Sequence, residues 1–168
     1  MNPDNLEKLF SDKNFKEIIK YYEKFGNPEK DERFSVIVSV SYLELGLEER
    51  NSKGNDKKAL DYFQKSLEIR EFPDTHNHIG LVYFNGDAAL RDLIKAEEAF
   101  NKSLEVDGNF ISAILNKGLV FQRQQKFEEA ITTYLSPFKK DNNYDIDPKS
   151  EYFGIAARLI SLSTSYLA

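Results

Sequence analysis

The chain has 168 residues, 40% hydrophobic and 30% charged, a composition typical of soluble globular proteins. Its net charge of −5, without a cluster of basic residues, argues against a nucleic-acid partner, because phosphate backbones are bound by basic patches. The absence of cysteine excludes disulfides, thiolate nucleophiles and cysteine-rich zinc sites. No stretch is apolar enough to span a bilayer, and the N-terminus lacks a secretory signal pattern. We therefore expect a cytoplasmic protein without a membrane partner.

Helices are predicted from the N-terminus onward. A short helix at about 4–10 precedes an amphipathic helix at 15–25. The β-prone run at 36–40, Val-Ile-Val-Ser-Val, is assigned to a buried helix because apolar residues continue beyond it at helical spacing. A connection at about 50–55 follows, and then a well-formed helix at 56–70.

Further helices are predicted in the second half of the chain. We expect Gly86 to end one helix in a left-handed conformation and Asp92 to cap the next by accepting backbone N–H groups. Pro137 should shorten or kink a later helix, because proline removes a helical hydrogen bond. Asp147 and Pro148 form the start signal of a C-terminal helix at 147–168.

Small and aromatic residues recur in a fixed frame along these helices. A small residue is followed three positions later by an aromatic one, and a second small residue is followed four positions later by another. Antiparallel helices approach closely where small side chains face each other, and residues four apart share one helical face. The predicted packing positions of this repeated helix pair are Ser39, Ala59, Phe63, Gly80, Tyr83, Ala96, Phe100, Gly118, Phe121, Ala130 and Tyr134.

The frame resembles the signature of the tetratricopeptide repeat family. The resemblance is closest at 111–144, where Gly118, Phe121, Ala130 and Tyr134 stand on signature positions. The preceding segment resembles the longer SEL-one-like repeats, through Gly80, Tyr83, Gly86, Asp92, Lys95 and Ala96. The resemblance implies an all-α fold, an α-solenoid of antiparallel helix pairs wound as a right-handed superhelix, with a C-terminal capping helix.

The resemblance also implies one domain over residues 1–168. Its repeat units are predicted at about 4–30, where the pattern is degenerate, and at 32–72, 73–110 and 111–144. The helix at 147–168 follows the last unit.

In this family the first helix of each unit lines a concave groove. The groove positions lie three before, one after and four after the signature small residue. Here they are Val36, Val40, Leu43, Asn77, Leu81, Phe84, Leu115, Leu119 and Gln122. Most are apolar, which indicates a groove for an amphipathic helix or an apolar peptide, unless curvature or the C-terminal helix covers it.

The family also includes co-chaperones that bind acidic chaperone tails through a clamp of lysine, asparagine and arginine. Only Asn116 matches a clamp position here, so we do not expect this activity.

Side chains that could carry chemistry are sparse. His76 and His78 are two residues apart, so on a helix they diverge and cannot share a metal ion. Oxygen ligands alternate along 141–147 as in a calcium loop. However, Ile146 stands where that loop needs glycine, and Tyr152 where it needs glutamate. We expect no catalytic residue, no cofactor and no metal site, and therefore no enzyme.

The sequence thus favours a scaffold or adaptor that binds a protein or peptide partner, whose identity the sequence does not specify. One alternative is a chaperone for a secreted apolar substrate, a function found among small acidic tetratricopeptide proteins. A second alternative is a self-assembly module. It is suggested by the C-terminal helix, which carries no charge after Arg158 and could form a homodimer contact.

Overall fold

The computed structural model describes residues 3–27, 31–140, 143–144 and 151–165. Helices account for most of them. The helices are α1 (Pro3–Ser11), α2 (Phe15–Phe25), α3 (Glu32–Lys53), α4 (Asp56–Ile69), α5 (Pro73–Asn85), α6 (Leu93–Val106), α7 (Ile111–Arg123), α8 (Phe127–Leu135) and α9 (Glu151–Thr164). The all-α class is therefore confirmed, and the β-prone run at 36–40 lies inside α3 as predicted.

Short non-helical elements follow α8. A 3₁₀ turn at Ser136–Phe138 carries Pro137, so the helix ends where proline was expected to interrupt it. Two strands of two residues each, β1 (Lys139–Lys140) and β2 (Asn143–Tyr144), form a small antiparallel ladder that the sequence did not predict. The proposed start signal at Asp147 and most of the calcium-like segment lie outside the described residues.

The chain divides into two compact units, Met1–Thr75 and His76–Ala168, here called the N-terminal unit and the C-terminal unit. In the N-terminal unit, α2 packs between α1 and α3, and α3 packs on α4. In the C-terminal unit, α7 packs between α6 and α8, and α9 packs on α8 and α7. Within each unit, helices thus pack in the order of the sequence, as in an all-α solenoid of helix pairs.

A glycine and an aromatic ring mark the close approach of helices in the C-terminal unit. A Cβ atom on Gly80 would lie within 3.0 Å of the Phe100 ring, and one on Gly118 would lie as close to the Tyr134 ring. Both rings are fully buried. The absence of a side chain on these two glycines lets each first helix lie directly against the ring of the helix that follows it.

The corresponding contact in the N-terminal unit corrects the predicted frame. The glycine that faces an aromatic ring of α4 is Gly46, where a Cβ atom would overlap Phe63. The sequence frame had placed Ser39 there, seven residues earlier, or about two helical turns. Ser39 is nevertheless fully buried against α4, where its hydroxyl donates to the carbonyl oxygen of Ser66 over 3.0 Å.

The predicted positions on the second helices are also buried. Ala59, Ala96 and Ala130 have no exposed surface, and neither do the three aromatic residues that follow each of them by four positions. Tyr83 and Phe121, on the first helices, are half-buried. The first helices therefore contribute glycine to the pair interface, and the second helices contribute the ring.

Two of the predicted helix ends differ from the structure. The connection expected at 50–55 is only Gly54 and Asn55, because α3 continues to Lys53 and then closes on Gly54 in the left-handed conformation. Gly86 was expected to adopt that conformation and does not, since the positive-φ glycines of the described residues are Gly26 and Gly54. Asp92 caps α6 as predicted, accepting from the N–H groups of Ile94 and Lys95.

Candidate protein-binding site

The three predicted groove residues of the N-terminal unit lie on α3 without forming an exposed patch. Leu43 is buried, and Val36 and Val40 are half-buried. If Gly46 is taken as the signature small residue, the groove positions become Leu43, Leu47 and Arg50. Leu43 is the residue that this set shares with the set counted from Ser39. The N-terminal unit therefore presents less apolar surface than the sequence suggested.

In the C-terminal unit, Asn77 does not face solvent. It is buried on α5, and its Oδ1 accepts a hydrogen bond of 2.8 Å from Nδ2 of Asn116 on α7. Asn116 is the residue that matches a carboxylate-clamp position in related co-chaperones. Here its amide bonds to Asn77 and connects the first helices of neighbouring pairs.

Phe84 lies near the end of α5, close to α7. It belongs to an apolar cluster with Phe100 and Val120, and the half-buried Leu81 and Leu119 pack against this cluster. These predicted groove leucines therefore have one side in the core, which leaves only part of each side chain for a ligand.

Arg123 covers the outer side of Phe84. Its guanidinium carbon lies 4.1 Å from the centroid of the Phe84 ring, a cation–π contact. Its Nη1 also donates to the carbonyl oxygen of Phe84 over 2.8 Å. Two contacts with Phe84 thus hold the exposed Arg123 at the rim of the apolar cluster.

Gln122 joins α7 to α9. Its Nε2 donates to the carbonyl oxygen of Leu159 over 3.1 Å and to Oγ of Ser163 over 2.6 Å. Its Oε1 accepts from the hydroxyl of Tyr134 over 3.2 Å. Leu115, one of the other predicted groove residues on α7, packs into the cluster that also contains Leu159. The C-terminal helix therefore covers part of the predicted groove, as one of the two interpretations of the sequence expected.

What remains open is a cleft of about 770 Å³ between α5, α7 and α9. We call it the C-terminal cleft. It is lined by Phe84, Leu119, Gln122, Arg123, Gln125, Phe127 and Leu162. Three of these residues were predicted groove positions. The others were missed because they come from helix ends, from the α7–α8 turn and from α9, which a count from the signature glycine does not reach.

The C-terminal cleft combines apolar walls with one cationic group. Leu162 is 50% exposed at its edge, and Arg123 is the charged residue among those that line it. Among the described residues, none of those that line the cleft is acidic. Its shape and charge suit a ligand with an apolar side chain next to a carboxylate.

The N-terminal unit has a second, polar recess of about 470 Å³ along α4. It is lined by Lys58, Asp61, Tyr62, Gln64, Lys65 and Glu68. Both charge signs alternate there, and Lys65 pairs with Glu23 of α2 over 3.3 Å. This recess is a solvated helix surface with ion pairs, and it lacks the apolar walls of the C-terminal cleft.

A charged network stabilises the turn between α3 and α4. Oε1 of the buried Glu49 lies 2.9 Å from Nζ of Lys53 and 3.0 Å from Nζ of Lys58, and Lys53 also pairs with Glu48 over 2.8 Å. Hydrogen bonds from Lys53 and Lys58 lower the pKa of Glu49, while bonds to the two glutamates raise the pKa of Lys53. The network joins the end of α3 to the start of α4.

Burial raises the pKa of two tyrosines, Tyr134 on α8 and Tyr152 on α9. Loss of hydration raises the pKa of Tyr152 to about 12 and raises that of Tyr134 further. The hydroxyl of Tyr152 donates to the carbonyl oxygen of Tyr134 over 2.7 Å, so the protonated form is the one that packs.

Among the described residues, no group of three or more histidines, cysteines or acidic residues is arranged to hold a metal ion. His76 and His78 both lie on α5, and His76 is buried while His78 is half-buried. Nor does any helix in the described ranges have the length and apolarity needed to cross a bilayer.

Comparison with known proteins adds one related sequence. Photosystem I assembly protein Ycf3 from Prochlorococcus marinus subsp. pastoris is 26% identical over 124 residues, which cover 71% of this chain and 62% of that protein. The chain therefore spans less than two thirds of the length of the curated relative that it matches. No family profile matches the chain. The weak similarity and the helix pairs are consistent with a tetratricopeptide-like fold.

Proposed function

We propose that this chain is a tetratricopeptide-like adaptor, with one SEL-one-like unit, that binds a segment of a partner protein in the C-terminal cleft. The observation that carries the proposal is the cleft itself. Its apolar walls come from α5, α7, α8 and α9, and Arg123 is held at its rim by Phe84. The predicted groove residues outside the cleft are proposed to support it through packing.

The ligand that fits is a short segment with an exposed aliphatic or aromatic side chain beside a carboxylate. The apolar side chain would displace water from Leu119 and Leu162, which is the main source of binding free energy at such sites. The carboxylate would pair with the guanidinium of Arg123, which presents donors in a fixed plane.

The similarity to an assembly protein supports a more specific role. By analogy, we propose that the chain holds a subunit of a multi-protein complex during its assembly in the cytoplasm, and that it acts by binding, without catalysis or cofactor. Self-assembly through α9 and binding of a secreted apolar substrate are the competing roles.

The proposal is tested by selecting ligands and then disabling the cleft. A library of random dodecapeptides is panned against the whole chain, and the selected peptide is titrated by fluorescence anisotropy. Leu162→Glu should weaken binding about tenfold or more, since it places a carboxylate at the exposed edge of the cleft. Arg123→Gln should weaken preferentially those peptides that carry Asp, Glu or a free C-terminus.

The matched control is Ile94→Glu, the same type of change on α6 at a side chain that is 69% exposed and does not line the cleft. It should leave affinity unchanged. Equal affinity for Leu162→Glu and wild type, with circular dichroism showing both folded, would place the binding surface elsewhere. Sedimentation of the unliganded chain at rising concentration tests the self-assembly alternative.

A further inference from the structure

Two uncharged polar side chains, those of Gln122 and Gln125, line the C-terminal cleft, and they differ in what they already bind. The carboxamide of Gln122 bonds to Leu159, Ser163 and Tyr134. Gln125 is exposed, and its carboxamide makes no hydrogen bond to another residue in the part of the chain that the structure describes. Gln125 therefore brings to the cleft a donor and an acceptor that the fold itself does not use.

The turn between α7 and α8 restrains the backbone of Gln125. Its N–H donates to the carbonyl oxygen of Gln122 over 3.0 Å, and the N–H of Lys126 donates to that of Phe121 over 2.9 Å. Gln125 has a φ of 61°, the left-handed conformation that glycine adopts most readily at a helix end. A side chain is thus unfavourable for the turn alone, and here it lies at the cleft.

A carboxamide is complementary to a peptide group. In an extended chain, the N–H and C=O of one residue point to the same side, so a carboxamide can donate to one and accept from the other. Inside a helix these main-chain groups are already bonded to each other, and only those of the first and last turns are available. Gln125 therefore favours an extended ligand over the amphipathic helix that the sequence also allowed.

Arg123 lies two positions before Gln125 and supplies the charge of the cleft. One of its nitrogens, Nη1, donates to the carbonyl oxygen of Phe84. A guanidinium has several N–H groups, so this bond leaves donors for a carboxylate. The cleft volume of about 770 Å³ is in the range of pockets that enclose small ligands, and it suits a few residues of extended chain.

We propose that the C-terminal cleft binds its ligand as an extended peptide, and that Gln125 pairs with the main chain of that peptide through both polar atoms of its carboxamide. The main-chain group that Gln125 contacts lies close in sequence to the acidic residue that pairs with Arg123. This inference rests on the proposed function of the cleft, and it adds the conformation of the ligand and the side chain that selects it.

The first test replaces the side chain of Gln125. The probe is the dodecapeptide selected by panning on the wild-type chain, and Gln125→Gly should weaken its binding about tenfold or more. The urea midpoint should change little, because relief of the left-handed strain opposes the added freedom of glycine in the unfolded chain. Lys13→Gly is the matched control. Lys13 is an exposed residue with a φ of 56° in the α1–α2 turn, and its loss should leave affinity unchanged.

The second test separates a direct contact from an altered turn. The same peptide is N-methylated at each position in turn, which removes one main-chain donor and leaves every side chain in place. Methylation at a position near the acidic residue should weaken binding to the wild-type chain about tenfold. The same methylation should have much less effect on binding to Gln125→Gly, because the partner of that donor is already absent.

The outcomes distinguish this inference from the proposed function. If Leu162→Glu weakens binding, the cleft is the site. Unchanged affinity of Gln125→Gly, equal effects of methylation in both proteins, or a bound peptide that NMR shows to be helical would then overturn the inference alone. If panning selects no peptide, or if Leu162→Glu binds as wild type does, the proposed function and the inference both fail.

Discussion

Asn116 and Asn77 form a side-chain hydrogen bond of 2.8 Å between α7 and α5. The donor is the one residue of the chain that matches a carboxylate-clamp position in related co-chaperones. Because its amide already donates to a buried neighbour, it acts as part of the scaffold. The bond connects α5 and α7, two consecutive first helices that both contribute residues to the C-terminal cleft.

The asparagine pair should therefore contribute to stability in a coupled way. Asn77→Ala should lower the free energy of unfolding by about 0.5–1.5 kcal/mol, since it removes the acceptor of the half-buried Asn116 amide. Asn116→Ala should lower the free energy of unfolding clearly less in the Asn77→Ala background than in the wild-type background. Urea denaturation of the four proteins measures the coupling, and strictly additive losses would show that the bond contributes nothing.

Four helical glycines, Gly46, Gly80, Gly118 and Gly154, should respond differently to one substitution. Alanine at Gly46, Gly80 or Gly118 places a Cβ atom against a buried ring and should destabilise the chain by about 1–3 kcal/mol. Alanine at Gly154 meets open space and should stabilise α9 by about 0.5–1 kcal/mol. Thermal denaturation compares all four. A loss of stability for Gly154→Ala would mean that this face of α9 is already filled.

Gln122 should control the attachment of α9. Gln122→Leu removes two donated bonds, to Leu159 and Ser163, and should raise the rate of amide hydrogen exchange across 151–165 by favouring local opening. Ser163→Ala should have a smaller effect in the same segment. Gln64→Leu, on α4 of the N-terminal unit, is the control. If exchange in α9 were equal for all three variants, packing alone would hold the helix.

Glu49 should make the chain acid-sensitive. Hydrogen bonds from Lys53 and Lys58 lower its pKa in the folded state, so the unfolded state binds a proton more readily. The stabilisation is complete above the ordinary glutamate pKa of about 4.3 and is lost as pH falls below it through the lowered folded value. In the Glu49→Gln variant, the free energy of unfolding should depend less on pH in that range.

Urea midpoints at neutral pH and at about pH 3.5 give the comparison for Glu49, with Glu105→Gln as a control at an exposed glutamate. Equal acid sensitivity of the Glu49→Gln variant and wild type would assign the effect to other carboxylates.

The stability of the chain at alkaline pH should depend on Tyr152. Its pKa is raised to about 12 by burial, so the folded state favours the protonated hydroxyl. That contribution is complete below the ordinary tyrosine pKa of about 10 and is lost as pH rises towards 12. Tyr152→Phe loses the bond to Tyr134, about 1 kcal/mol at neutral pH, but its stability should depend less on pH between about 10 and 12. Absorbance titration of tyrosinate provides the direct check.

Local signals in the sequence were sufficient for the fold class and for most helices. Asp92 caps α6, and Pro137 ends α8, because both effects depend on neighbouring backbone groups. The rings of Phe100 and Tyr134, which the glycine and alanine frame selects, lie against Gly80 and Gly118. These features depend on residues within one helix pair.

The errors arose where the frame depended on tertiary contact. Ser39 and Gly46 are both small and both buried on α3, and only contact with Phe63 distinguishes the position of close approach. The length of α3 was underestimated because Lys53 bonds to Glu48 and Glu49, which extends the helix to Gly54. A charged run was therefore taken for a loop.

The candidate site was only partly accessible from sequence for a related reason. Counting from the signature glycine identifies which residues of α5 and α7 share a face, but not what covers that face. Gln122, which was predicted as a ligand contact, lines the C-terminal cleft and also bonds to α9. Arg123 was not selected, because its role depends on the distance between its guanidinium and the Phe84 ring.

The packing of successive helices within each unit has a kinetic consequence. Since contacts join segments that are close in sequence, few long loops must close before native packing is gained, and low contact order of this kind is associated with folding in microseconds to milliseconds. A helix pair can also be added or removed at the end of such a unit without a change in the packing of the other pairs. Evolution can therefore alter the length of the array by duplication or deletion, and natural variation in pair number is expected to concentrate at the chain ends.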